Sequence, residues 1–255
     1  MVAELESTFP LSNLEELVEI FELTPSNVGI VIPTLNEGKN IHEVLCKSND
    51  IGYNNILVID GKSKDNTIKI ATKGGAKVVL QTGRGKGNAI RQVLSNRYMD
   101  VDAIVLMDAD GSMDPAEIPA FIEALNSGAD IVKGSRFMKG GHTYDMDPVR
   151  RLGNTMLMFV INFLWSANYT DLCYGYAAFS KNAIEKLAPV LKSDGFEIET
   201  EIFIKALDLG LVVKEVPSIE YARKNGNSNL HAFRDGCRIF ITICQEFFRS
   251  SKHRL

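Results

Sequence analysis

Cysteine is scarce in this chain: four in 255 residues, at 46, 173, 237 and 244, with no Cys-x-x-Cys pair. That excludes a disulfide framework and a thiolate zinc site, and points to inert thiols in a reducing compartment. A basic excess is also missing, since 28 Lys and Arg stand against 32 Asp and Glu, a net charge of −4. Nucleic acid is therefore not an expected partner. No apolar run approaches the ~20 residues of a spanning helix, and the longest, Met156 to Trp165, is broken by Asn162. The opening MVAELEST has neither the basic region nor the apolar stretch of a signal peptide. The expected location is cytoplasmic, with at most peripheral contact on the cytoplasmic face of a membrane. Repeats and low-complexity tracts are absent, and 45% hydrophobic with 24% charged residues is ordinary globular usage. The length admits one or two domains, or one large α/β domain.

What is present is an alternation of apolar runs and helical patterns. Val28–Ile32, Ile56–Ile59, Ala76–Leu80 and Ala103–Met107 read as strands. Helices are expected from Lys39, from Asp65, near Gly87 and after Pro115. Such alternation implies βαβ units and a mostly parallel central sheet flanked by helices. The unbroken apolar character of ILVI and AIVLM implies strands covered on both faces. Further on, Asp130–Val132, Tyr174–Phe179 and Leu211–Val216 read as strands. Pro148–Leu164, Glu197–Asp208 and about His231–Arg249 read as helices, with a Gly-rich loop at Lys139–His142. At the N-terminus, Ser12-x-x-Glu15 forms a capping box and Leu14, Leu17, Val18 and Phe21 share a helix face. Residues 1–26 thus read as a helical extension, 27–240 as one domain, and 241–255 as a helix end with a basic tail.

In open parallel sheets, ligands sit beyond the carboxyl ends of the strands. Three polar clusters fall there: Pro33-Thr34-Leu35-Asn36-Glu37, Asp60-Gly61-Lys62-Ser63, and Asp108-Ala109-Asp110-Gly111-Ser112. Paired carboxylates such as Asp108 and Asp110 suit Mg²⁺ or Mn²⁺, with substrate phosphates filling the remaining positions. Gly83-Arg84-Gly85-Lys86-Gly87-Asn88 matches neither the Walker nor the dinucleotide spacing. Its glycines would let the backbone approach a phosphate at a helix start. No catalytic role is assigned to His142 or His231.

Taken in order, VIPTLNE, ILVIDGKSKDNT, GRGKGNAI, VLMDADGSMDP and IVKGSRF resemble the motifs of family 2 glycosyltransferases with the GT-A, Rossmann-like fold. VRRLGN, TDLCYGYAAF, GFEIETEI, VKEVPS and ARKNGNSNLHAFRDG continue the likeness, which spans about residues 27–240. The branch most similar is that of dolichol-phosphate and polyprenyl-phosphate mannosyl- and glucosyltransferases. The resemblance implies an inverting, divalent-metal-dependent transfer from a UDP- or GDP-sugar, with residues 27–135 as the nucleotide-sugar half and 136–240 as the acceptor half. It places Pro33 and Glu37 on the nucleoside, Asp60 on the base or ribose, and Lys86 in the loop bordering the nucleotide. Asp108 and Asp110 match the metal and diphosphate motif, and Ser112 stands where some relatives have Gln. Asp-Gly-Lys-Ser at 60–63 departs from the usual Asp-Asp-Gly-Ser.

For the acceptor, the resemblance places Arg136, Arg150 and Asn154 around a lipid phosphate. Arg223, with Gly226 and Ser228, matches a loop that closes over the diphosphate. Glu199 falls where hydroxyl-directed relatives carry a catalytic base. The preferred acceptor is a polyprenyl phosphate, whose oxygen needs no strong base, and the alternative is a saccharide or small-molecule hydroxyl with Glu199 as base. A sugar nucleotidyltransferase is a more distant alternative, disfavoured because its glycine-rich loop follows the first strand. A catalytically silent nucleotide-sugar or lipid binder is disfavoured by the presence of Asp60, Asp108, Asp110 and Arg223. Leu157–Trp165, Ile239–Phe248 and the basic end Arg249, Lys252, His253, Arg254 could shape a greasy, membrane-facing surface. Self-association is compatible with all of this.

Overall fold

The computed structural model of the chain describes residues 22–226 and 230–251. The expected N-terminal helix face, Ser228 and the tail from Lys252 lie outside the described residues.

Four strands form one parallel half: β1 (Val28–Thr34), β2 (Ile56–Asp60), β3 (Lys77–Leu80) and β4 (Ala103–Leu106). Between them come α1 (Ile41–Asp50), α2 (Thr67–Lys73) and α3 (Lys86–Ser95). After β4, a 3-10 turn at Pro115–Glu117 leads into α4 (Ile118–Asn126), and the Asp114 carboxylate accepts the Ala116 amide at 3.1 Å to start it. The second half contains β5 (Ile131–Ser135), β6 (His142–Thr143), α5 (Pro148–Trp165), β7 (Ala177–Ser180) and α6 (Lys181–Leu187). It ends with α7 (Ile198–Asp208), β8 (Val213–Pro217), β9 (Ile219–Glu220) and α8 (Ala232–Ser251).

The main sheet has the order β3-β2-β1-β4-β7-β5-β8, with a small β6-β9 ribbon beside it. All its pairings are parallel except those of β7, which runs antiparallel between β4 and β5. Alternate side chains of each strand enter opposite cores. Ile30 and Ile32 meet α1 through Ile41, Val44 and Leu45, and Phe121 of α4 shares that core. Val31, Leu57 and Ile59 face the other way, into a core with Trp165, Ile202 and Ile243 from α5, α7 and α8. Both faces are thus covered, which is why ILVI and AIVLM read as unbroken apolar runs.

Three features depart from the expected elements. The strand expected at Tyr174–Phe179 begins only at Ala177; Tyr174 and Tyr176 instead send their hydroxyls to Ser218 and to the Asp114 carbonyl. Its antiparallel direction carries no sequence signal, because the pairing partners lie far away in the chain. Seven-residue α6 is too short to display a helical period, although its cap is visible as Ser180, which accepts the Ala183 amide.

Registers bring Thr34, Asp60 and Leu80 to one level, so β1, β2 and β3 end flush, with β4 beside them. Those ends form the floor of the cleft.

Candidate active site at the carboxyl ends of the strands

The cleft has a volume of about 580 Å³ and stretches from Gly61 and Gln81 past Asp108 to Arg150. Pro33 and Glu37 line it as expected. Glu37 is fixed on both oxygens: Oε1 accepts Arg223 Nη1 at 2.9 Å and Oε2 accepts Asn40 Nδ2 at 2.7 Å.

Asp60, expected to touch the base or ribose, lies beneath the cleft and is not among the residues that line it. It is fully buried; Oδ1 accepts the Ser63 amide at 2.7 Å, and Oδ2 accepts the hydroxyls of Ser63 at 2.6 Å and Thr34 at 3.1 Å. These three bonds shape the 60–63 turn, where Lys62 takes a left-handed φ of 69°. The turn in turn holds Asn36, whose amide donates to Ser63 Oγ at 2.8 Å.

The glycine-rich loop also works differently from expectation. Gly85 has φ 91°, and a Cβ at Gly85 or Gly87 would collide with the backbone carbonyls of Asp194 or Ser193. The Gly87 and Asn88 amides donate to Gly195 O at 3.1 Å and Asp194 O at 3.2 Å. These glycines therefore let the start of α3 press against the segment before α7, and two of the amides that might have met a phosphate are used there. The loop still lines the cleft through Gly83, Arg84 and Gly85, and sends the Lys86 side chain into it.

Lys86 lies at the centre of the charge arrangement. Its Nζ is 2.6 Å from Asp108 Oδ1 and 2.7 Å from Glu199 Oε1. Burial works against its charge, but the two carboxylates outweigh that and raise its pKa. Asp108 has its own pKa raised, first by burial and then by Asp110 and Glu199, with Lys86 pulling the other way. Asp110 sits one turn on, its Oδ1 accepting the Ser112 amide at 2.9 Å and its Oδ2 lying 2.8 Å from Arg223 Nη2. Gly111 between them and Ser112 has φ 78°, the left-handed geometry this turn requires. Each acidic group of the cleft is thus matched by a cation from another element.

Asp108 and Asp110 offer hard oxygen donors of the kind Mg²⁺ and Mn²⁺ take. Among the described residues no group of three or more His, Cys, Asp or Glu is placed to hold an ion. The two carboxylates are a donor set that would take such an ion together with oxygens of a bound diphosphate.

On the acceptor side, the three expected residues separate. Arg150 lines the mouth of the cleft, its Nη1 donating to Asp145 O at 3.0 Å. Asn154, expected at the acceptor, is buried and is not among the residues that line the cleft; its Oδ1 accepts the amides of Leu172 at 3.2 Å and Cys173 at 2.9 Å. It shapes the 172–173 loop instead. Arg136 borders the cleft but is fully engaged: Nε and Nη2 donate to Asp171 at 2.7 and 2.9 Å, and Nη1 to Glu220 at 3.1 Å. It also donates to Cys173 O at 2.8 Å and lies 4.6 Å above the Tyr174 ring. Its guanidinium is a buried tie between the end of β5, the 171–174 segment and β9, while its edge borders the cleft where an acceptor phosphate is expected. Asp171 and Glu220 escaped the sequence reading because neither stands near Arg136 in the chain.

These positions can be set against known proteins. The family model described as glycosyl transferase family 2 matches residues 29–188. The chain belongs to glycosyltransferase family 2. That membership makes it a glycosyltransferase and leaves the nucleotidyltransferase alternative behind. A family member from Haloferax volcanii, glycosyltransferase AglJ, is 35% identical over 90% of this chain and 73% of its own length. A dolichyl-phosphate hexose transferase of the same organism is 30% identical over 88% of this chain and 97% of its own. Among solved structures, glucosyl-3-phosphoglycerate synthase from Mycobacterium tuberculosis, in complex with Mn²⁺, UDP and glucosyl-3-phosphoglycerate, superposes with a TM-score of 0.70 at 22% identity. It covers 86% of this chain and 79% of its own, and shows the fold to be the GT-A fold of this family.

Proposed function

We propose that this family 2 glycosyltransferase moves a hexosyl group from a UDP- or GDP-sugar to a polyprenyl phosphate, with inversion at the anomeric carbon. Its relative in Haloferax volcanii is named for a dolichyl-phosphate acceptor. The observation that carries the acceptor class is the outer face of α5. From Arg150 at the cleft mouth, Leu152, Met156, Phe159 and Phe163 lie exposed along one side of the helix, and no charged residue follows Arg151 up to Trp165. Their spacing of three and four residues forms a single stripe. α8 lies alongside, its Phe247 ring 5.8 Å from Trp165, and exposes Phe233, Phe240, Ile241 and Phe248. Arg234, Arg238 and Arg249 flank that second stripe, the pattern of a helix resting on anionic lipid. No helix among the described residues is long and apolar enough to cross a membrane; the contact in this reading is peripheral, and its placement on the cytoplasmic face is part of the proposal.

Asp108 and Asp110 would hold Mg²⁺ or Mn²⁺ together with oxygens of the donor diphosphate, and the ion would neutralise charge on the departing nucleoside diphosphate. Arg223 and Lys86, released from the two aspartates, turn to the phosphates. An acceptor phosphate oxygen, anionic already and steered by Arg150, attacks C1 from the face opposite the diphosphate. The new C1–O bond forms as the old one breaks, and the diphosphate leaves with the bonding pair. Glu199 keeps Lys86 in place in this scheme. A hydroxyl acceptor is the second reading, favoured by the position of Glu199 in the cleft beside Lys86 and Asp108.

Two variants separate the readings. With polyprenyl phosphate in vesicles, Glu199→Gln is expected to keep kcat within about threefold, whereas loss of a general base costs about 10²–10⁴-fold. Phe159→Glu with Phe163→Glu is expected to raise KM for the long-chain acceptor about tenfold without altering donor affinity, because burying two charges against lipid is unfavourable. Collapse of turnover in Glu199→Gln with donor affinity retained, or an unchanged KM in the double variant, would count against the lipid-phosphate acceptor.

A further inference from the structure

The nucleoside end of the cleft lacks the second carboxylate of the Asp-Asp-Gly-Ser pattern, because Gly61 stands in its place. Asp60 next to it is closed off by Ser63 and Thr34. A different acceptor nevertheless faces the vacated position. Gln81, one residue beyond β3, is 5% exposed and lines the cleft together with Gly61. A Cβ placed on Gly61 would lie 3.1 Å from Gln81 Oε1 and 3.2 Å from the Thr34 carbonyl. The bare backbone at 61 is what leaves that amide oxygen open to the slot.

The orientation of the amide follows from its partners. Gln81 Nε2 donates to Gly85 O at 2.7 Å and to Asn88 Oδ1 at 3.1 Å. Asn88 Oδ1 is fixed as an oxygen because it accepts the Gly83 amide at 3.0 Å. Two acceptors at one end of the Gln81 amide require its NH₂ there, so the oxygen must point toward Gly61. The same residue thus braces the loop that carries Lys86 and presents a nearly buried acceptor to the nucleoside end.

We propose that Gln81 reads the nucleobase, its Oε1 accepting the ring imide N–H of uracil or guanine in place of the missing carboxylate. This rests on the nucleotide-sugar donor reading above. Uracil N3 and guanine N1 carry a hydrogen at that edge, whereas cytosine and adenine present a ring-nitrogen lone pair, setting acceptor against acceptor. A nearly buried acceptor facing another acceptor loses its hydrogen bond and gains nothing in return, and this is how such sites discriminate.

The test is calorimetric titration of UDP, GDP, CDP and ADP, each with Mn²⁺, into the full chain and two variants. The full chain is expected to bind at least one imide nucleotide about tenfold or more tightly than CDP and ADP. In Gln81→Leu that ratio is expected to fall within twofold. Loosening of the 83–88 loop would weaken all four nucleotides alike through their shared diphosphate, so the ratio, and not the affinity, is the readout. Gly61→Ala leaves both Nε2 bonds intact and sets a methyl against Oε1; its ratio is expected to collapse too, and it decides the matter if Gln81→Leu does not fold. A ratio that survives in Gln81→Leu, or equal affinity for all four nucleotides in the full chain, would overturn the assignment while leaving the donor reading in place. Binding of none of the four would sink the donor reading itself.

Discussion

Replacing Asp110 by asparagine is expected to lower kcat/KM for sugar transfer by about 10³-fold, roughly 4 kcal/mol of lost transition-state stabilisation. Asparagine is nearly isosteric, and its side-chain oxygen still accepts the Ser112 amide that Asp110 Oδ1 accepts at 2.9 Å. The turn at Gly111 is thereby kept, and the melting temperature should move by only about 2–4 °C. In the proposed scheme this substitution removes one of two anionic donors to the divalent ion, and it also removes the Arg223 ion pair at 2.8 Å. The midpoint of a Mn²⁺ titration of activity should rise accordingly; an unchanged midpoint would remove Asp110 from the metal site. Asp110 is also one of the charges that raise the Asp108 pKa, after burial. In the proposed scheme metal binding needs Asp108 ionised and would be lost as pH falls through its pKa. With Asp110 neutral that pKa drops, so the acid limb of residual activity should move to lower pH.

Arg136→Ala is expected to destabilise the fold by about 3–5 kcal/mol, the usual consequence of removing one partner from a buried ion pair. At roughly 2–4 °C per kcal/mol for a chain of this size, the melting temperature should fall by about 6–20 °C. Asp171 is fully buried and Glu220 nearly so, and both would lose the guanidinium that satisfies them. Burial alone would push the Asp171 pKa up, but Lys133 and Arg136 outweigh it and hold it below the usual aspartate value. A depressed carboxylate pKa contributes stability above the unfolded value of about 4, and that contribution fades as pH falls through the folded pKa. The stability gap between the parent protein and Arg136→Ala should therefore be full at pH 7 and narrow below pH ~4. Thermal melts at the two pH values check this. A variant that melts with the parent protein but loses acceptor affinity would return Arg136 to the acceptor phosphate.

Features written locally were legible in the sequence. Strands β1, β2 and β4 announce themselves because cores on both faces make them apolar throughout. Asp108 and Asp110 are legible because their spacing belongs to a single turn after β4. Residues whose roles depend on distant partners were not. Asp60 carries the sequence mark of a ligand contact, yet Thr34 on the neighbouring strand and Ser63 take its oxygens. Arg136 sits in a motif that resembles an acceptor site, but Asp171 and Glu220 come from remote segments to claim it. Asn154 is diverted in the same way by the 172–173 amides. The glycines at 85 and 87 signal close backbone approach, and the partner is the protein's own 193–195 segment. Sequence identifies which groups can do chemistry, while the long-range pairing decides which are left free to do it. Arg150, proposed for the acceptor, borders the cleft with its Nη1 3.9 Å from Asp145 Oδ2.

The most direct measurement follows the sugar itself. The protein is incubated with UDP- and GDP-hexoses labelled at C1, Mn²⁺, and polyprenyl phosphate in anionic vesicles, and the label is partitioned between organic and aqueous phases. Label should move into the organic phase as a glycosyl phosphate whose anomeric coupling shows inverted configuration, with one nucleoside diphosphate released per sugar transferred. Label that stays entirely aqueous while nucleoside diphosphate is released, or a lipid product with retained configuration, would contradict transfer to a lipid phosphate by the route described.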